Sequence, residues 1–567
     1  MISIYIDKNY ERYKSKIDYS IDYIFALLGY SWKYIQEDEM PAKDEILFYY
    51  ADNYPKKEVT VKLSQHCPLI FIKADKDFFI TGAYTKDKLR KSIRKLQINK
   101  KLFPIISQNN IEHPLLMHSG IDYKYASFEF DIIGNTFFHL SEEETCWLKP
   151  TAKKKKKKSK EEDLFQFDEF YQIPYLNRLL LLLETSIQEL SRPNMLLLKK
   201  SLWPQNAPIA FALSYNVNTL HKWKIKSFFI TIFELIILLF IFKWNYFFRI
   251  IMSWLKFMIS NNEPYWNFQE INEKEREVKA RSTWFFHAKS NKIDNTDYYL
   301  DDYDLQDELK AIVNYGSEIA FLPTKKASET NSFENEYEQF SKILKIKKTG
   351  IRHLYRSNLS ENSLILEREY GIVYDSTRES NKSYGFPSGV CTPYKVWSNT
   401  LKNKNKPIWE IPINFNEKSF ILSKFSIIDF EKAKTISREL FAMTKEHKGL
   451  IHFSFDISSF CDVSYLYKLL SYILDQSNSN SAYKASLSQI IQWIDKRNNV
   501  KIKVDDNVAS FTFPDDIDDF SVTFSGAYKF ASFEGGNCSC KNKTIQFYDI
   551  KKDTTVKVLF AKEHDED

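Results

Sequence analysis

Seven polar residues stand at or just beyond the ends of short apolar runs, and their types could serve a ligand site. They are Asn216, Asn218, Lys326, Arg352, His353, Asp375 and Asp456. Carboxylates and a neutral histidine can transfer protons or bind a metal, and amides and basic groups can hydrogen-bond a sugar. We therefore expect these residues to line a ligand pocket.

The elements that must position these residues follow one pattern between residues 207 and 498, in which a helical stretch is followed by a glycine and a short apolar run. The four plain cases are Gly316 before 318–322, Gly350 before 351–355, Gly371 before 372–376 and Gly449 before 450–456. Glycine tolerates the left-handed conformation that ends a helix, so each case predicts a helix end that leads into a buried strand. Further strands are expected at 208–218, 282–287 and 408–414. About seven strands alternating with helices predict a parallel α/β barrel, with its site at the carboxyl ends of the strands.

The sequence outside 207–498 predicts three further segments. Residues 1–165 form a separate N-terminal α/β domain with a lysine-rich edge loop at 153–158, which we interpret as solvated, with a polyanion site as the alternative. Residues 166–206 form a connecting helix. Short alternating runs in 499–567 predict a small C-terminal β module.

Composition and the N-terminal sequence bear on the partners and the location of the protein. The 80 basic and 74 acidic residues give a net charge of +6, which is too balanced to indicate nucleic acid as the main partner. Six scattered cysteines are typical of reduced thiols rather than a disulfide framework. The N-terminus lacks the pattern of a signal peptide, so we expect a cytoplasmic protein.

Five stretches, in order, resemble the polysaccharide deacetylase family (NodB-like carbohydrate esterases), in particular a bacterial branch with an extra N-terminal domain. They are AFALSYNVNT at 210–219, STWFF at 282–286, GSEIAFLP at 316–323, IRHLYRSN through YDSTRESNKSYGFPSGVCTPY at 351–394, and IWEIPI with IHFSFDISSF at 408–413 and 451–460. FDIIGNTFFHLSEEE at 130–144 resembles a signature of that branch. The resemblance implies a NodB-like (β/α)7 distorted barrel that removes acetyl groups from sugars with a divalent metal such as zinc.

The catalytic positions that the resemblance implies are all occupied by other residues. Asn216 occupies the position of the general base, and Asn218 and Leu322 occupy positions of metal ligands. Lys326 replaces a further histidine, and Pro387 replaces the arginine that orients the base. Asp456 replaces the acid histidine, and His452 is an alternative alignment for that position. An amide accepts no proton near neutral pH, and leucine has no lone pair. The resemblance therefore predicts the fold of the family with no metal cofactor and without its reaction.

These observations predict a catalytically inactive, deacetylase-like pseudoenzyme that binds a glycan or scaffolds an enzyme of cell-envelope polysaccharide assembly. One alternative is a divergent active sugar deacetylase with replacement ligands, for which His353 is the best candidate for residual chemistry. Another alternative is a structural partner in a membrane-associated complex.

The insertion at 221–262 contains a nearly continuous apolar stretch, 228–242, followed by a second one to residue 259. A helix of about 15 residues is roughly 22 Å long, which is shorter than the hydrocarbon layer of about 30 Å. Aromatic and basic residues predict a helical hairpin that lies in a membrane interface, peripheral on the inner membrane. Its membrane or partner surface would contain Phe228, Phe233, Leu238, Phe242, Trp244 and Trp254. Helices packed on the barrel and a homodimer are the alternatives.

Overall fold

A computed structural model gives the structure of the chain. It describes residues 1–98, 101–120, 123–141, 171–223, 225–240, 242, 244–260, 263–291, 294, 296–325, 327, 332–354, 361–379, 384–398, 407–417, 421–423 and 426–563. The lysine run at 153–158 and Lys326, both singled out from the sequence, lie outside the described residues.

The first part of the chain forms a mainly parallel sheet with helices packed on it. Its strands are β1 Ile2–Ile6, β2 Trp32–Tyr34, β3 Ile46–Ala51, β4 Leu69–Lys73, β5 Ile93–Ile98, β6 Lys101–Ile106, β7 Leu115–Ser119 and β8 Lys124–Phe128. Six of them are arranged β2-β1-β3-β4-β8-β7, and β5 and β6 form a separate hairpin. The helices of this part are Lys14–Leu28, Lys57–His66, Lys86–Ser92, Ile132–Leu140 and Tyr175–Leu190. Helix side chains and one face of the sheet, including Ile46, Phe48 and Tyr50 of β3, share a large apolar core. On the other face, Leu47 of β3 packs in a smaller cluster with Tyr5 and Leu69, so β3 is apolar on both faces.

A second, ten-stranded sheet positions the candidate site. The next strands along the chain are β9 Leu197–Lys200, β10 Ala210–Val217, β11 Thr283–Phe286, β12 Glu318–Phe321, β13 Thr349–Ile351, β14 Ile372–Asp375, β15 Tyr394–Lys395, β16 Trp409–Glu410, β17 Phe415–Asn416, β18 Ile421–Ser423, β19 Ser426–Ile427, β20 Leu450–Asp456 and β21 Tyr483–Lys484. The sheet runs β15-β16-β14-β13-β12-β11-β10-β20-β17, with β21 beside β10. Within it β15 is antiparallel to β16, and the other pairs are parallel. The predicted α/β class is confirmed.

Helices connect and cover these strands. They are Phe268–Glu277, Tyr303–Tyr315, Phe333–Leu344, Glu361–Glu369, Phe430–Glu446, Ser459–Asp462, Leu466–Ser479 and Leu487–Asn499. Every residue of β10 is buried, as expected for a central strand of a parallel sheet that is covered on both faces.

The second sheet is curled, and a side-chain contact demonstrates it. Arg352 directly follows β13, whereas Ser214 lies on β10 and Ser454 on β20, three and four strands away in the sheet order. In a flat sheet with about 4.8 Å between strands, these separations would be roughly 14 and 19 Å. The guanidinium of Arg352 nevertheless donates to both serine hydroxyls at 2.8 Å. The sheet therefore curls around its inner face.

Two of the four predicted helix-ending glycines have the expected conformation. Gly316 and Gly371 have φ values of 88° and 83°, in the left-handed region that glycine adopts without the steric cost of a Cβ. Both lead directly into strands, β12 and β14.

The same prediction was wrong for the other two glycines. The left-handed residue after each preceding helix is a lysine instead: Lys345 at φ 55° directly follows Leu344, and Lys448 at φ 52° lies two residues after Glu446. Gly350 and Gly449 allow close packing instead, because a Cβ would overlap the ring of Tyr374 in the first case and Cys391 in the second.

The C-terminal part forms two antiparallel sheets. Its strands are β22 Lys501–Asp505, β23 Val508–Phe513, β24 Phe520–Ser525, β25 Tyr528–Glu534, β26 Cys538–Lys541, β27 Thr544–Phe547 and β28 Thr554–Lys562. They are arranged β22-β23-β28-β25 and β26-β27-β24-β9. Since β9 lies in the segment that the sequence assigned to the connection, one strand of this part precedes β10 in the chain.

Two apolar helices, Ile225–Phe240 and Trp244–Ser260, follow β10 and pack against each other. We call this pair the apolar hairpin. Within the described ranges, no helix is long and apolar enough to cross a membrane.

Candidate functional site

The candidate site lies on the inner face of the curled sheet. The parallel strands β10 and β20 pair so that Ser214 lies beside Ser454 and Asn216 beside Asp456. Alternate residues of a strand share a face, so these four side chains point the same way. The contacts of Arg352 with Ser214 and Ser454 identify that face as the inner one.

Arg352 occupies the centre of this face. Its Nη1 donates to Asn216 Oδ1 at 2.9 Å and to Ser454 Oγ at 2.8 Å. Its Nη2 donates to the hydroxyls of Ser214 and Ser376 at 2.8 and 3.1 Å, and its Nε donates to the Ser376 carbonyl at 2.8 Å. A guanidinium has five N–H donors, and all five are used. We call these five residues the arginine cluster.

The guanidinium of Arg352 is a buried, permanent cation. Burial lowers the pKa of Arg352 to about 10, and the nearby carboxylates of Glu379, Glu417 and Asp375 act in the opposite direction. The group therefore stays protonated at neutral pH. It lies 4.0 Å from the centroid of the Phe285 ring, a cation–π distance. The guanidinium of Arg352 therefore fills the space between the inner faces of β10, β11 and β20.

A serine and a histidine meet beside the guanidinium. Ser214 Oγ lies 2.8 Å from His452 Nε2, and His452 Nδ1 lies 3.3 Å from the carbonyl of Pro412. A Ser–His pair of this kind can activate a nucleophile. However, both side chains are completely buried, and Arg352 donates to the same hydroxyl. Burial and the charge of Arg352 also lower the pKa of His452. The pair is therefore part of the packed interior.

Three side chains form a second group at the carboxyl ends of the strands, which we call the rim group. Asn218 Oδ1 lies 3.2 Å from His287 Nε2, and Asn218 Nδ2 donates to Asp456 Oδ2. Asp456 Oδ1 accepts from the backbone N–H of Ser458 at 2.9 Å and from its hydroxyl at 2.5 Å. Burial raises the pKa of Asp456, and these hydrogen bonds oppose the shift. Asn218 and Asp456 are half-buried, so solvent reaches these two side chains, whereas His287 and Arg352 are buried.

The sequence patterns did not single out His287, which is the last residue of the predicted strand 282–287. A usable signal was present in the strand alternation. Thr283 and Phe285 lie beside Ser214 and Asn216, so the next alternate residue, His287, has the same inward direction. Burial lowers its pKa to about 4, with partial opposition from the Leu322 carbonyl. Its imidazole is therefore neutral at pH 7.

His353 is held by a covering helix instead of the arginine cluster. Its Nε2 lies 2.9 Å from Glu367 Oε1, and both side chains are buried. Its backbone N–H donates to the Thr377 hydroxyl, which in turn donates to Asp375. The structure ends β13 at Ile351, earlier than the predicted 351–355, so Arg352 and His353 follow the strand. The Arg352 side chain enters the arginine cluster, whereas His353 contacts the covering helix Glu361–Glu369. The alternative role of His353 in residual chemistry stays a prediction.

The other predicted positions are less central. Leu322 is completely buried in an apolar core. Pro387 is buried in the turn Pro387–Gly389, which packs on helix Tyr175–Leu190. Asp375 is buried, and its Oδ2 has no hydrogen-bond partner among the described residues.

The predicted membrane or partner surface is only partly exposed. Phe233, Phe242 and Trp244 are exposed, and Trp254 is half-buried. Leu238 is 1% exposed, so its predicted place on the surface was wrong. The side chain of Phe228 lies outside the described residues.

These residues do not fit the divalent metal that the family resemblance implies. The rim group contains two strong ligand types, His287 and Asp456, whereas a catalytic zinc site needs three. Arg352 donates to Asn216, and its charge would repel a cation placed there. Across the described part of the chain, no cluster of three or more His, Cys, Asp or Glu side chains could hold a metal.

Comparison with protein-family models and with curated proteins finds no match. Two solved structures named as polysaccharide deacetylases, from Mycobacterium smegmatis and Pseudomonas aeruginosa PAO1, are 15% and 12% identical to this chain. Each covers 52% of it, with 92% and 93% of their own chains aligned, both at TM-score 0.35. The carbohydrate deacetylase Agd3 is 8% identical, covers 99% of this chain and 98% of its own, with TM-score 0.38. TM-scores this low do not establish a relationship between these structures and this chain. The family resemblance rests on the sequence motifs.

Proposed function

We propose that this chain is a polysaccharide deacetylase-like protein with a NodB-like barrel, which has lost hydrolysis and binds a glycan at the rim group. The observation that carries the proposal is the arginine cluster. At the position that the motif resemblance assigns to the general base, Asn216 accepts a hydrogen bond from Arg352. An amide cannot take a proton from water near neutral pH.

The rim group supports the binding part of the proposal. Asn218 and Asp456 are half-buried at the mouth of the curled sheet, and the backbone N–H of Asp456 donates to Glu417 at 3.2 Å. Amide and carboxylate groups in such a place can exchange hydrogen bonds with sugar hydroxyls. Scaffolding of a glycan-processing enzyme would use the same surface.

The test combines metal content, turnover and binding of the purified full chain. We expect substoichiometric zinc, no acetate release from acetylated chitooligosaccharides, and calorimetric binding of an acetylated oligosaccharide. Asp456→Ala should weaken binding about tenfold, the effect of a lost charged hydrogen bond. Asp475→Ala, which removes an exposed carboxylate on helix Leu466–Ser479, is the matched control. Absence of both binding and turnover would favour scaffolding.

A divergent active deacetylase is the second candidate, and the convergence of His287, Asn218 and Asp456 favours it. Two of these residues are potential metal ligands: His287 follows β11 and Asp456 ends β20, the two strands that flank β10. One bound zinc per chain, together with acetate release that His287→Ala abolishes, would replace the first proposal with this one. A structural role in a membrane-associated complex is a third candidate, for which the apolar hairpin is the relevant feature.

A further inference from the structure

The apolar hairpin exposes an unusual amount of apolar surface. On its first helix the exposed large side chains are Ile232, Phe233, Ile236, Leu239 and Phe240, and on its second helix Trp244, Phe248, Met252, Leu255, Met258 and Ile259. These positions recur at three- and four-residue intervals, so each helix has one apolar stripe. Phe240 is 79%, Phe242 74% and Ile259 85% exposed. Contiguous apolar surface of this kind marks a contact with another body.

The base of the hairpin is attached to the mouth of the curled sheet. Lys222 Nζ lies 2.9 Å from Asp462 Oδ1 and 3.2 Å from Cys461 Sγ. Both partners belong to the short helix Ser459–Asp462 that follows β20. Ser253 in the second helix lies 3.9 Å from the same sulfur, and Leu238 is buried. The hairpin thus has a fixed inner side and an uncovered outer side.

Charge identifies what fits the outer side. Residues 221–260 contain six basic residues and the single acidic residue Glu234, a net charge of +5. The whole chain has +6, so nearly all of its excess positive charge is in this segment. The basic residues are Lys222, Lys224, Lys226, Lys243, Arg249 and Lys256. A second copy would bring an equal positive charge to the contact, which disfavours self-association.

We propose that the apolar hairpin docks the protein on an anionic phospholipid surface. The apolar stripes enter the boundary between head groups and acyl chains, and the basic residues other than Lys222, which pairs with Asp462, attract anionic head groups. The first helix has 16 residues and the second 17, or roughly 24 and 26 Å, so the pair lies in the interface and does not cross a layer of about 30 Å. This inference is independent of the proposed glycan function.

Flotation of the full chain with vesicles tests the proposal. We expect binding to vesicles that contain phosphatidylglycerol and little binding to pure phosphatidylcholine vesicles. The double variant Phe240→Ser with Phe242→Ser should lower the partition coefficient between vesicles and water at least about tenfold, because it removes two highly exposed aromatic rings. The matched control is Phe533→Ser with Leu559→Ser, which removes two exposed apolar side chains from β25 and β28 and should bind as the wild type does.

Three results would overturn the proposal. The first is a wild-type chain that stays with the unbound fraction, and the second is equal binding to both vesicle types. The third is a light-scattering mass of twice 67.3 kDa that the hairpin double variant reduces to 67.3 kDa, because a second copy would then cover the surface.

Discussion

The arginine cluster and the apolar hairpin are opposite exceptions to the usual distribution of polar and apolar groups. The cluster buries a charge and several polar side chains inside a sheet, and the hairpin exposes large apolar side chains around a basic segment. In the cluster every guanidinium donor has a partner within the chain. In the hairpin the stripes have no cover within the described structure.

This difference indicates that the arginine cluster has a structural role and supports the proposal that the apolar hairpin is a docking surface. A buried polar group is stable when its hydrogen bonds are made internally, so the cluster needs no ligand. Exposed apolar side chains cannot be compensated by neighbouring side chains in this way and are covered only by another body. The cluster should therefore matter for stability, and the hairpin for attachment.

Removal of Arg352 should have the largest effect on stability. Arg352→Met keeps much of the side-chain length but leaves Asn216 and three serine hydroxyls without their charged donor, so we expect a loss of about 3 kcal/mol. Urea unfolding followed by circular dichroism measures it. Arg438→Met, at an exposed position on helix Phe430–Glu446, is the control and should change little. Equal stability of the two variants would show that the cluster does not stabilise the curled sheet.

The rim group predicts a pH dependence. His287 has a folded pKa of about 4, whereas an unfolded histidine titrates near pH 6.5. As the pH falls from 7 to 5, the unfolded chain gains a proton that the folded chain does not accept. Neutral His287 therefore costs about 2 kcal/mol of stability over this interval.

His287→Gln isolates this contribution, since it removes the titrating group but keeps a polar side chain. We expect the stability of the variant to fall less than that of the wild type between pH 7 and pH 5. Parallel pH profiles for the two proteins would contradict the assigned environment of His287.

His353 should behave as a packing residue. His353→Phe removes the contact with Glu367 Oε1 and should lower stability by about 1–2 kcal/mol, because the buried carboxylate loses a partner. Oligosaccharide binding, measured by calorimetry at a temperature where the variant is folded, should not change. A loss of binding without a loss of stability would place His353 in the ligand site.

The hairpin should have the smallest effect on stability. Phe240→Ser with Phe242→Ser alters two exposed side chains, so the free energy of unfolding should change by less than about 0.5 kcal/mol. Urea unfolding without vesicles measures this value. A larger loss would mean that these rings support the fold, and the flotation result would need a variant farther from the core.

The sequence predicted the α/β class and the strands that carry the site because apolar runs and helix ends are local signals. β10 and β20 were recognised as apolar runs, and Gly316 and Gly371 as helix ends. The contrary cases, Gly350 and Gly449, depend on which distant side chain packs on them. A local pattern contains no such information.

The sequence predicted several residues of the candidate site, but it did not predict which of them contact each other. Asn216, Asn218 and Asp456 were named from strand ends and family motifs, and Arg352 from its place after Gly350 in a stretch that resembles the family. The bonds from Arg352 to the serines of β10 and β20 depend on the curvature of the sheet, which short apolar runs do not encode. His287 could have been found by strand alternation, but only once the register with β10 was known.

The arginine cluster also links two properties that a single substitution would change together. Asn216→Asp would place a carboxylate within 2.9 Å of a guanidinium nitrogen, and the resulting ion pair would lower the pKa of the new carboxylate. The proton affinity of a carboxylate at position 216 would therefore depend on Arg352, which also donates to the serines of β10 and β20. The basicity of this position and the stability of the curled sheet could not be changed independently of each other.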